Sequence, residues 1–153
     1  MEKIMTKEEI ARLQGDMNME LERFITAQEQ SYETALQEIK TGKKQSHWMW
    51  YIFPQIKGLG SSPTATYYAI QDRLEAEAYL AHTVLGQRLK EISGALLELK
   101  SCEANEIFGF PDDLKLKSSM TLFYLVSREE VFKKVIDKFF GGELDPLTVS
   151  LLK

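Results

Sequence analysis

The residues able to do chemistry gather in two stretches far apart in the chain. The first is Q-S-H-W-M-W-Y-I-F-P-Q-I-K-G-L-G-S-S, residues 45–62, which holds both tryptophans and one of the two histidines. An imidazole exchanges protons near neutral pH, so His47 is a candidate general acid or base. Trp48 and Trp50 offer flat faces on which a planar ligand can stack. Gln55 and Lys57 flank Gly58 and Gly60. Such a turn can present backbone N–H groups and a lysine to an anion. It lacks the lysine placement of a phosphate-binding P-loop, and turn geometry alone also accounts for the glycines.

The second stretch is P-D-D-L-K-L-K-S-S-M-T, residues 111–121. On a helix, Lys115, Ser118, Ser119 and Thr121 spread over neighbouring arcs, a lysine and hydroxyls suited to gripping a phosphate or carboxylate. Asp113 is the second candidate for proton transfer, with Lys57 or Lys115 as electrostatic stabiliser. Asp112 reads as structural, an acid in the first turn of a helix opened by Pro111. The alternative is a solvated Asp113–Lys117 pair, with small serines permitting close helix packing.

Elements must position these groups, and the pattern for them is helical. Thr6 with Glu9 forms a capping box, and Gly15 ends a first stretch. Tyr32, Leu36 and Ile39 share one face of a helix over 18–40, either continuous or broken near Gln28–Ser31, with Gly42 as its stop. Ser46 caps a short helix ended by Pro54; a strand over 48–53 is the alternative. Helices are expected over 73–81 and 84–100, the second with Leu85, Leu89, Ile92, Leu96 and Leu99 in one stripe. Ala104–Phe108 forms one turn. Pro111 opens a helix running to about Val126, Ser127 with Glu130 caps another ending at Gly141-Gly142, and Asp145-Pro146 opens a last short one. No alternating pattern or hairpin signal appears. The expected fold is all-α, a compact single-domain bundle of about six to eight helices over 18–153. Residues 1–17 form an N-terminal extension or frayed helix.

Composition bounds the function classes. The chain has 153 residues, a net charge of −4 and 44% hydrophobic residues, ordinary for one globular domain. A basic face for duplex nucleic acid is not expected. No apolar run suits a membrane span, and the charged start is not a secretory signal. A single cysteine, Cys102, fits a reducing compartment, so the expected location is cytoplasmic. Two isolated histidines without companion cysteines give no metal motif, and no cofactor motif is present.

Three segments, S-H-W-M-W-Y-I-F-P-Q-I-K-G-L-G, Y-L-A-H-T-V-L-G-Q-R-L and I-F-G-F-P-D-D-L-K-L-K-S-S-M-T-L-F, together resemble the DUF1810 family from about Leu21 to Phe140. The resemblance implies a small, mostly helical, cytoplasmic bacterial-type domain of uncharacterised function. Family members often carry proline where this chain has Thr83, which can cap the following helix instead. In outline the motif order is also similar to the NADAR proteins, which act on ADP-ribose-linked metabolites. That likeness implies a nucleotide-type ligand and makes hydrolysis or glycosidic cleavage the first reaction class to consider.

Two functional readings follow, beside a third in which the motifs are only core. In the first, an anionic or nucleotide-type small molecule binds in a cleft between the 45–62 aromatic loop and the 112–121 helix. In the second, the aromatics anchor a protein partner and nothing is catalysed. A shared hollow supports the first, an exposed patch of Trp48 and Tyr51 the second. Oligomeric state leaves no mark in the sequence.

Overall fold

The computed structural model describes residues 6–153. Among these residues nine helices follow in order: α1 (Lys7–Lys40), α2 (Met49–Ile52), α3 (Pro63–Tyr68), α4 (Arg73–Ala81), α5 (Thr83–Leu97), α6 (Ala104–Phe108), α7 (Asp112–Ser127), α8 (Glu130–Phe140) and α9 (Pro146–Leu152). The fold is all-α. Its six longer helices make the bundle, and α2, α3 and α6 are short turns between them. Among the described residues there is no strand; a single parallel bridge joins Ile56 to Ile70.

Local chemistry explains most helix ends. Thr6 Oγ1 accepts from Glu9 N–H at 3.1 Å, the expected cap of α1. Gly15 does not end that helix, which continues unbroken to Lys40. A glycine within a helix costs only about 1 kcal/mol, which tertiary packing elsewhere along the helix readily exceeds. Gly42 (φ 86°) turns the chain in the left-handed region. Three caps differ from expectation. Ser46 is drawn away by Glu38, so α2 starts without a side-chain cap. His82, rather than Thr83, caps α5, its Nδ1 accepting from Val84 and Leu85 N–H at 3.2 and 3.3 Å. Ser127 closes α7 by bonding back to Phe123 O at 2.6 Å, leaving Glu129 at the start of α8.

Helix α7 is the central element and packs against α4, α6, α8 and α9. Leu116 and every residue from Ser118 to Phe123 are buried, so the helix is enclosed on most sides. The fully buried Phe24, Tyr79, Phe123 and Phe132 rings join α1, α4, α7 and α8 in one chain of aromatic contacts. Of the small polar residues of α7, Ser119 and Thr121 are fully buried within this packing.

Among the described glycines the tightest approach is at Gly86 on α5. A Cβ there would lie 2.1 Å from the backbone oxygen of Leu80 on α4. Backbone cannot swing aside as a side chain does, so α4 and α5 must separate. Gly86→Ala is expected to lose about 1–3 kcal/mol, the usual range for overpacking, read from the urea midpoint at unchanged slope.

Candidate functional site

The segment from Trp50 to Leu59 meets the start of α7 and the start of α9 around one cleft of about 360 Å³. Three local features hold these pieces in place. Lys57 N–H donates to Ile70 O and Ile70 N–H to Gln55 O, both at 2.8 Å, so the loop after Pro54 is pinned beside the end of α3. Gly109, at φ 73°, and the Phe110–Pro111 pair deliver the chain into α7. Asp145 then docks α9 on α7. Its backbone N–H donates to Thr121 Oγ1 at 2.9 Å, and its Oδ2 accepts from Thr148 Oγ1 at 2.6 Å and Thr148 N–H at 3.3 Å.

Four of the residues expected in the site line this cleft: Trp50, Gln55, Lys115 and Ser118. Lys115 Nζ lies 3.9 Å from the centre of the Trp50 ring, a cation–π contact bridging the two stretches. It also pairs with Asp112 Oδ1 at 3.0 Å. Ser118 Oγ lies 2.8 Å from Asp145 Oδ2 and 3.2 Å from Leu114 O. One hydroxyl hydrogen serves one acceptor, and the shorter contact to the charged oxygen takes it. Among the described residues the Trp50 indole N–H and the Gln55 side-chain amide make no hydrogen bond to protein. Both are half-buried polar groups at the cleft wall.

The other expected site residues lie elsewhere. Trp48 is 1% exposed and packs against Phe53 and Phe108, with Nε1 donating to Glu38 Oε1 at 2.9 Å. It is core and offers no face to a ligand. Helix α2 is a single turn, so helical spacing does not extend to His47 or Phe53. His47 and Lys57 are exposed and line no part of the cleft. Asp113 is turned to α6, where its Oδ2 lies 3.4 Å from Asn105 Nδ2. Ser119 faces the interior, fully buried, its Oγ without a partner. Thr121 is buried too, holding the Asp145 backbone. Neither candidate for proton transfer therefore reaches the cleft. Tyr51 is half-buried with its hydroxyl donating to Ser31 Oγ at 2.9 Å, so Trp48 and Tyr51 form no exposed patch.

Other members of the cleft were not singled out from sequence: Asp145, Lys117, Leu59, Leu114 and Leu147. Asp145 is legible as the cap of α9, but its docking on α7 is a contact between distant segments with no local signature. Asp112 is more than a helix-start acid. Lys44 Nζ grips its Oδ2 at 2.9 Å while Lys115 holds Oδ1. Burial alone would raise its carboxyl; the two ammonium groups outweigh that and hold it below its usual range.

A larger hollow of about 550 Å³ runs along α1 beside Tyr67 and Tyr68. It is a shallow groove whose guanidinium, Arg23, is already committed to Glu75 and to backbone carbonyls. It holds none of the expected site residues. No helix among the described residues is long and apolar enough to cross a membrane. Among those residues, no group of three histidine, cysteine, aspartate or glutamate side chains is placed to hold a metal ion.

No curated protein matches the chain. Among solved structures, the fold is similar to the 1.38 Å crystal structure of the conserved hypothetical protein Rv1873 from Mycobacterium tuberculosis. The TM-score is 0.85 and the identity 47%, with 86% of this chain and 95% of that chain covered. Residues 18–152 match the family described as "Protein of unknown function (DUF1810)", and the chain belongs to that family.

Proposed function

We propose that the chain binds an anionic small molecule in the cleft between the Trp50–Leu59 segment and the start of α7. The observation that carries this reading is the meeting of Trp50 and Gln55 with Lys115 and Ser118, residues more than fifty positions apart. Lys115 is held between Asp112 and the Trp50 ring, so its ammonium is oriented before a ligand arrives. Preorganisation of this kind lowers the ordering cost of binding. The free indole N–H and the Gln55 amide supply directional hydrogen bonds, and the surrounding leucines supply apolar surface. Hydrolysis is no part of the reading, because His47 and Asp113 stand outside the cleft. A partner-binding surface built on Trp48 and Tyr51 lacks its anchors, since neither ring is exposed.

The test is a thermal-shift screen of anionic metabolites, from simple carboxylates through sugar phosphates to nucleotides and ADP-ribose. A true ligand at 100 times its dissociation constant should add about 2.7 kcal/mol. That is a rise of roughly 5–10 °C for a domain of this size. Lys115→Ala should remove most of the shift, and Lys57→Ala, on the exposed bend, should leave it. A shift that survives Lys115→Ala, or none with any anion, would sink the assignment.

A further inference from the structure

The charge balance of the cleft narrows what it can hold; this step rests on the cleft being the binding site. Asp112 is gripped from two sides, by Lys44 at 2.9 Å and Lys115 at 3.0 Å. Two ammonium groups share one carboxylate, so the trio carries one uncompensated positive charge. The Lys44 side chain is only 8% exposed and also donates to Ser46 O at 2.6 Å. Its position is inward. The Lys115 side chain is 20% exposed and lies on the cleft wall. The excess charge is therefore presented at Lys115, against the Trp50 ring.

The second lysine on the cleft wall is already paired. Lys117 is paired with Glu143 at 3.0 Å. One helical turn along α7 from Lys115, Ser118 leads to the Asp145 carboxylate. A ligand whose second negative charge reaches that far meets repulsion instead of a partner. Around these groups stand Leu59, Leu114 and Leu147, with Leu114 51% and Leu147 63% exposed. That is apolar surface left in water which a ligand would cover. At about 360 Å³ the cleft sits at the small end of ligand pockets.

We propose that the cleft takes a small amphipathic monoanion, one carboxylate on Lys115 with an apolar body against Leu59, Leu114 and Leu147, and that it selects against polyphosphates. A nucleotide diphosphate brings too many negative charges for one free unit of positive charge.

The full chain is titrated with 3-phenylpropanoate, its neutral amide 3-phenylpropanamide, acetate and ADP, following the indole N–H resonance of Trp50 by NMR. The carboxylate should bind about tenfold or more tightly than the amide, the scale of one charge-assisted hydrogen bond. It should also bind more tightly than acetate, by about tenfold or more for the buried ring, and more tightly than ADP. Lys115→Met should bring the carboxylate-to-amide ratio close to one, and Asp145→Asn should strengthen ADP. The wild-type ratios decide the matter even if a variant fails to fold. Equal affinity for carboxylate and amide would overturn the proposal. ADP binding more tightly than the carboxylate, and through Lys115, would overturn the ligand class while leaving the cleft as the site. Absence of any Lys115-dependent binding at millimolar concentration would overturn both.

Discussion

Arg23→Met should cost about 3–5 kcal/mol of stability, the range found when one member of a buried ion pair is removed. The side chains of Arg23 and Glu75 are 8% and 6% exposed. Arg23 Nη2 donates to Glu75 Oε1 at 2.9 Å and to Ala69 O at 2.8 Å; Nε donates to Tyr67 O at 2.8 Å. Without the guanidinium, the Glu75 carboxylate keeps its backbone donor, Gln71 N–H at 3.0 Å, and loses its counter-charge. The residue pays the desolvation of a charge without the attraction that offset it. Arg23→Met combined with Glu75→Met should recover a large part of the loss, since the pair's attraction and its desolvation nearly cancel. Urea unfolding of the two single variants and the double variant closes the cycle. A single-variant cost below about 1 kcal/mol would show a solvated pair, worth what surface bridges are worth. The effect reaches the cleft as well. Arg23 anchors the end of α3 through Tyr67 and Ala69, and the neighbouring Ile70 holds Gln55 in register.

What was legible in the sequence followed the range of the interaction that decided it. Helices α4, α5 and α8 announce themselves by apolar spacing, and α9 by Asp145-Pro146, because propensity, capping and amphipathicity act within a few residues. The break expected at Gly15 failed because packing of a long helix outweighs one poor former. In the site, the two stretches were legible but the facing of single side chains was not. Trp48 and Trp50 are two positions apart, and the chain turns between them: one indole enters the core, the other faces the cleft. Ser118 and Ser119 are adjacent on α7, about 100° apart around its axis. That angle separates a cleft hydroxyl from one sealed in the interior. Glu38 and Glu75 left no signal beyond their charge, and the docking of Asp145 on α7 left none beyond its helix cap, because each acts on a partner brought near only by the fold.

Glu38→Ala is expected to cost about 3 kcal/mol, from the loss of several hydrogen bonds to one ionised acceptor, each worth about 1.5–3 kcal/mol when fully kept from water. The Glu38 carboxylate lies near the end of α1 and gathers the chain that follows. Oε1 accepts from Gln45 N–H at 2.7 Å, Ser46 N–H at 3.0 Å and Trp48 Nε1 at 2.9 Å; Oε2 accepts from Ser46 Oγ at 2.6 Å. Water can replace the outer donors, which keeps the total well under the sum. The indole N–H of the buried Trp48 is the donor least able to find it. Burial would raise the Glu38 carboxyl; bonds from Ser46, Gln45 and Trp48 overcome that and hold it at about 2, against 4.5 for a free glutamate. A folded-state value below the unfolded one means that deprotonation favours the fold. The contribution is complete above about pH 5 and is lost as pH falls from 4.5 toward 2. Asp112, depressed by Lys44 and Lys115, adds to the same acid limb. Glu38→Gln removes the titrating group at nearly constant shape. Its stability deficit against the wild type should be largest near neutral pH and shrink steadily between pH 5 and pH 2. Urea midpoints measured across that range check it. A deficit that stays constant with pH would mean that shape, rather than charge, gathers residues 45–48, and the aromatic segment leading to Trp50 would then be held by packing alone.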